Sequence, residues 1–256
     1  MSTFLAFWKK ECLGQLRSAK MYILAGLFVL FALMNPAVAK LTPWIMEEMS
    51  DALAQTGMIV TQVEVSVLDS WVQFFKNIPM ALIVFVILQS NIFTTEYRSG
   101  TLILSLTKGL DRWKVVATKA LMLILFWTVG YWLCFGLTYG SNCFFWDNTD
   151  AQNLLFGAAC WWVFGLWTVM LVVLFSVIFP SNIGVLGGTA GTVLVVYLLS
   201  LLPKLREYLP TFLMDGNSLI YGLAKPGDYG WALGITVVWT VACLAVSIPI
   251  FNKKQL

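Results

Sequence analysis

Six apolar runs alternate with polar stretches along this chain. The predicted spans cover residues 21–39, 74–95, 115–139, 153–179, 183–202 and 230–251. A helix of about 20 residues reaches about 30 Å, the thickness of a hydrocarbon core. Ahead of the first run, residues 2–18 place Phe4, Leu5, Trp8, Cys12, Leu13 and Leu16 at helical spacing. Lys9, Lys10, Glu11 and Arg17 fall elsewhere on the wheel, so this stretch reads as an amphipathic helix lying on the membrane surface.

The polar stretches have their own signals. Residues 40–75 are too polar to span. There Thr42-Pro43 reads as a helix start, with Glu47 and Glu48 near its positive end. Thr61 with Glu64 has the spacing of a capping box for the helix that enters the second span. A short loop, 140–152, carries Asp147 and Asp150, and Pro180-Ser181-Asn182 forms a tight turn. Residues 203–229 are broken by Pro203, Pro210, Gly216 and Pro226. Trp44, Trp146, Trp161, Trp162 and Trp231 read as an outer aromatic belt.

Composition supports this plan. Of 256 residues, 59% are hydrophobic and 11% charged, where a soluble domain is nearer a quarter charged. The fold class is therefore an all-α membrane protein, a single transmembrane domain over 1–256 with no room for a large soluble domain. No cleavable signal peptide is expected, since Lys9, Glu11 and Arg17 precede the first run and no small-residue cleavage site follows it. Histidine is absent, which excludes Ser-His catalysis, histidine-ligated haem and the usual zinc protease sites. The five cysteines show no CxxC spacing, and only Cys143 is expected on an outer surface, so neither a metal site nor a disulfide framework is suggested. No phosphate loop of the GxxxxGK[ST] type occurs. The chain is not expected to bind ATP by that route or to be an enzyme, and no nucleic-acid partner is expected.

Charge orients the spans. With both termini inside, inner segments hold eleven Lys or Arg and outer segments five; acids run three inside against ten outside. The positive-inside rule then puts both termini in the cytoplasm of a multi-pass protein.

The longest inner polar stretch is Glu96 to Lys119. Arg98, Lys108, Arg112, Lys114 and Lys119 stand there against Glu96 and Asp111, around a short apolar helix over 101–106. That helix is too apolar to face water alone and needs a protein groove or the membrane surface. The order Glu-x-Arg-x-Gly-Thr-Leu, a leucine-rich turn, an Arg and a Lys resembles the first cytoplasmic loop of the type 2 ABC exporter permeases. Glu96, Gly100, Thr101, Leu104, Leu106, Arg112 and Lys119 fill the family's places. Two departures stand out: Lys108-Gly109 replaces the usual Pro, and Asp111-Arg112 replaces a Ser-Arg pair. Asp111 is suited to cap the next helix and Gly109 to end the preceding one.

The resemblance implies a surface helix at 1–20, six spans, a cytoplasmic coupling loop at 95–115 and short outer re-entrant helices within 203–229. It implies two permease copies, forming a homodimer, with two separate ABC ATPase subunits that bind ATP and Mg. This chain itself carries no cofactor. Glu96, Arg98, Gly100, Thr101, Asp111, Arg112 and Lys119 would couple to the ATPase. The family's second and fifth helices line the central path. Gln89, Ser90 and Asn91 would then lie at its inner end, though local hydrogen bonding explains them as well. In the fifth span, Gly184 with Gly188 and Gly187 with Gly191 form small-xxx-small pairs, read either as plain packing or as a close approach on the path.

The spans hold almost no charge, because Lys40 and Lys76 sit near outer ends and snorkel to the headgroups. Such a lining suits a hydrophobic or amphipathic cargo: a peptide toxin, a bacteriocin or a lipophilic antibiotic, exported across a bacterial cytoplasmic membrane. An ion-driven secondary carrier would need ligands at mid-depth, which are scarce here. A non-transport membrane scaffold would work without any ATPase.

Overall fold

The computed structural model describes residues 3–48, 65–100, 107, 111–146 and 148–254. The chain is all-helical, with six helices long and apolar enough to cross a membrane among the described residues. Helix α1 (Thr3–Leu16) is followed by α2 (Ala19–Glu48) and α3 (Val67–Gln89). A turn leads to the short α4 (Thr94–Ser99), then α5 (Arg112–Phe145), α6 (Leu154–Ile178) and α7 (Asn182–Leu199). Short helices α8 (Pro203–Arg206) and α9 (Gly216–Ile220) alternate with 3₁₀ turns at Pro210–Met214 and Pro226–Tyr229. Helix α10 (Gly230–Lys253) closes the described bundle.

Helix α6 is the central post. It packs on α5, α7, α9, α10 and the Pro210–Met214 turn. Helix α2 lies against α3 and α5, and α1 packs on α5 and α2. No hydrophobic force drives helices together within lipid, so close packing and internal polar contacts must. Gly165 of α6 meets the Trp127 indole of α5 so closely that an added Cβ would lie 2.2 Å from the ring. Gly188 of α7 likewise meets the Phe175 ring of α6, at 2.5 Å.

Between α2, α3 and α5 runs a ladder of neutral polar groups. Asn77 Nδ2 donates to Asn35 Oδ1 at 2.8 Å, and Asn35 Nδ2 donates to Thr138 Oγ1 at 3.2 Å. Thr138 in turn donates to the Ala32 carbonyl at 3.2 Å, and Ser70 donates to Asn142 Oδ1 at 2.7 Å.

Three expectations need correction. Thr42-Pro43 does not start a helix, because α2 runs on through Pro43 to Glu48. Pro43 withholds one donor, and the adjacent Thr42 hydroxyl bonds back to the Val38 carbonyl at 2.8 Å. Proline is tolerated inside membrane helices, at the cost of one backbone bond, here the one to the Ala39 carbonyl. The cap of the second span is Ser66 with Asp69, a complete capping box; Thr61 and Glu64 lie outside the described residues. Trp161 is not a belt residue. It is buried in the bundle, and its Nε1 donates to the Met214 carbonyl at 2.8 Å, whereas Trp44 and Trp231 are exposed. The third span is also longer than predicted, because helix continues through the polar but uncharged run 140–145.

Candidate functional site

The α1 end of the bundle gathers α1, the start of α2, α4, the start of α5, the α6–α7 turn and the end of α10. Helix α4 sits at its centre. Gly100, at φ +67°, ends α4 in the left-handed conformation that favours glycine. The stretch that follows, with Thr101, the residues 101–106 expected to form an apolar helix, Lys108 and Gly109, lies outside the described residues, as does the Arg98 side chain.

Lys119 of α5 is buried to 1% exposure. Its ammonium lies 3.0 Å from Glu96 Oε1 of α4 and 3.2 Å from Glu11 Oε2 of α1, and it donates to the Ile92 carbonyl at 3.1 Å. It also lies 5.3 Å from the ring centroid of Phe93. One cation thus joins three elements. A buried charge is tolerable only with such partners. The structure brings Glu96 and Lys119, separate places of one sequence motif, into contact and adds Glu11, which had been placed merely off the apolar face of α1.

Arg112 does not project from the loop. It opens α5, and its guanidinium donates to the carbonyls of Phe251, Asn252 and Lys254 at 3.3, 3.1 and 2.6 Å. Lys254, just past α10, donates to the Val177 carbonyl at the end of α6 at 2.6 Å. Its ammonium also lies 4.4 Å from the ring centroid of Tyr97 in α4. Partial burial pushes the Lys254 pKa below its ordinary value. Cations are favoured at helix C-termini, where carbonyls lack helical partners and the dipole is negative. Arg112 and Lys254 each supply such a cap to a helix other than their own.

Asp111 holds the N-cap position of α5 without a side-chain cap bond, because its carboxylate pairs with Lys114 at 2.6 Å. Asn91 accepts a hydrogen bond from Lys20, and Gln89 is buried with Nε2 3.9 Å from the Met21 sulfur. Both are turned into α2 at this end. Thr94 donates to Asn182 at the start of α7. Phe93, fully buried between Lys119, Tyr97 and Phe251, had carried no signal in the sequence; a lone Phe in an apolar run looks like any other.

Along the bundle, an apolar groove of about 520 Å³ opens between α3, α6 and α7. Leu82, Val86, Phe164, Ala190, Val193 and Tyr197 are among its walls. The glycine pairs divide across α7. Gly184 and Gly188 pack within the chain against Phe179 and Phe175, whereas nothing lies within 4 Å of a Cβ built on Gly187 or Gly191.

The family model described as ABC-2 family transporter protein matches residues 5–204. No curated protein matches the chain.

Proposed function

The chain belongs to the ABC-2 transporter family, as the membrane permease of an ABC transporter with an ABC ATPase as partner, and we propose that it exports hydrophobic or amphipathic cargo from a bacterial cytoplasmic membrane. The observation that carries this reading is the apolar groove between α3, α6 and α7, whose walls rise from the charged junction around α4. A groove with no Asp, Glu, Lys or Arg in its described lining suits an amphipathic peptide or lipophilic antibiotic better than an ion or sugar. The open face of α7 at Gly187 and Gly191 supports pairing with a second copy, which would enclose the groove as a path.

In this reading both termini are cytoplasmic, and residues 100–111 dock on the ATPase, which binds ATP and Mg. Thr101 and Arg98 lie nearest that contact. Gly100 supplies the turn, and Glu96 passes the push to Lys119 and α1. Asp111 and Arg112 set the start of α5. Segment 203–229 forms the outer closure.

Co-purification with the ATPase, followed by ATP turnover in lipid vesicles with and without an amphipathic cationic peptide, tests this. Peptide-stimulated turnover that falls in Glu96→Ala, with assembly intact, is the expected result. A permease that binds no ATPase, or a Glu96→Ala complex with full stimulation, overturns it.

A further inference from the structure

Helix α4 makes two contacts with the α6–α7 hairpin. Thr94 donates to Asn182, the first residue of α7. Tyr97 lies under the Lys254 ammonium, which also donates to the Val177 carbonyl in the last turn of α6. The two contacts fall on either side of the turn at 179–181. That turn is itself stiff. The Ser181 side chain accepts from the Gly184 amide at 3.2 Å, and Phe175 stacks on Phe179 with centroids 6.0 Å apart. Gly184 and Gly188 seat α7 directly on those two rings. These contacts join the two helices of the hairpin at their turn, and both helices line the groove together with α3. The third wall, α3, enters α4 through the turn at 90–93.

We propose that Asn182 and Lys254 are positioning residues that make the α6–α7 hairpin follow α4, so that displacement of the coupling segment changes the width of the groove. Lys254 joins α4 to the end of α6. Asn182 joins α4 to the start of α7. Arg112 fixes the origin of Lys254 by holding the last carbonyls of α10 on α5. Neither positioning residue needs to touch cargo or ATPase. The idea rests on the ABC permease reading above and adds the route by which movement reaches the groove.

The test uses the full chain with its ATPase in lipid vesicles, with the native cysteines replaced. Spin labels at Met80→Cys on α3 and Val195→Cys on α7, both exposed, report the separation of the two walls. ATP with Mg is the probe. In the otherwise unaltered chain the label distance shifts on adding ATP. Asn182→Ala and Lys254→Met shrink that shift and lower ATP turnover roughly three- to tenfold, with the KM for ATP unchanged and the complex still folded and assembled. Their combination removes the shift. Lys254→Arg restores it, because a guanidinium satisfies both the carbonyl and the ring. Thr94→Val removes the donor from the α4 side without changing volume, and reproduces Asn182→Ala.

Variants that keep the full shift and full turnover overturn the inference while leaving the permease reading intact. An unaltered chain that shows neither turnover nor shift overturns both. A Lys254→Arg chain as impaired as Lys254→Met, with its stability lost as well, assigns Lys254 a structural role only and also overturns the inference.

Discussion

The α1 end and the interior of the bundle hold their helices together with different chemistry. At the α1 end most links carry a full charge: Lys119 between Glu11 and Glu96, Arg112 on the end of α10, Lys254 on the end of α6, with Thr94–Asn182 the neutral exception. Deeper in, between α2, α3 and α5, the links are neutral amides and hydroxyls: Asn35, Asn77, Thr138, Ser70 and Asn142. The difference follows from solvation. A helix end exposes carbonyls that attract cations, and nearby water lowers the cost of charge. Buried between helices, an ion would forfeit its hydration with no such return, whereas an amide loses less and recovers it from one neighbour. Charged links also join elements at the point where the chain changes direction. Neutral links join helices along their length.

The contrast sets an order of sensitivity. Lys119→Met should cost most, because it strands two carboxylates at a buried junction; removing one partner of such a pair typically costs about 3–5 kcal/mol. A thermal shift in detergent would measure it, and a wild-type melting temperature would refute the weight placed on that cation. Gly188→Leu comes next. Its side chain must displace the Phe175 ring, and overpacking of this kind costs about 1–3 kcal/mol. Gly187→Leu on the open face should leave monomer stability unchanged, which makes the pair an internal control. Asn35→Leu should cost only about 1 kcal/mol, since interhelical hydrogen bonds in membranes are individually weak. It should also leave ATP turnover intact, so a turnover defect there would break the division drawn above. The smallest effect is one of rate. Cys143 is exposed and Cys12 is half-buried, with the Cys12 thiol held above its ordinary pKa by burial and then by neighbouring Glu11. An impermeant maleimide should label Cys143 on intact cells, and Cys12 only slowly and after permeabilisation. The reverse order would invert the proposed orientation.

Much of the architecture was legible because lipid constrains sequence strongly. Six apolar runs, the Pro180 turn and the broken segment from Pro203 to Pro226 all follow from hydropathy and backbone chemistry, and each has a counterpart in the structure, although the first and third spans run past the ends read for them. Helix ends were harder. Pro43 has the local signature of a start, yet α2 passes through it, as membrane helices tolerate an internal proline. Trp161 and Trp231 have the same local signature. Only packing places the first inside the bundle and the second on its surface. In the candidate site, Glu96 and Lys119 were visible as residues of a motif. Their third partner, Glu11, is 108 positions from Lys119. The caps by Arg112 and Lys254 reach across 139 and 77 positions. Such pairings exist only after the helices have met, so no local pattern carries them.

The capping of α6 by Lys254 also has a consequence for the order of synthesis. Helix α6 is the most enclosed of the spans, yet the last carbonyls of its chain receive their cation from a residue made 77 positions later. The α2–α3–α5 ladder and the Lys119 junction contain nothing beyond Asn142, so both can form while the second half is still on the ribosome. The end of α6, the end of α10 and the ring of Tyr97 come together only once Lys254 has emerged. A chain stopped before that point has a finished first half and an unfastened second one. Completion of the α1 end is thus a late event in the folding of the described bundle, and a protease that recognises loose helix ends there would distinguish finished from unfinished copies.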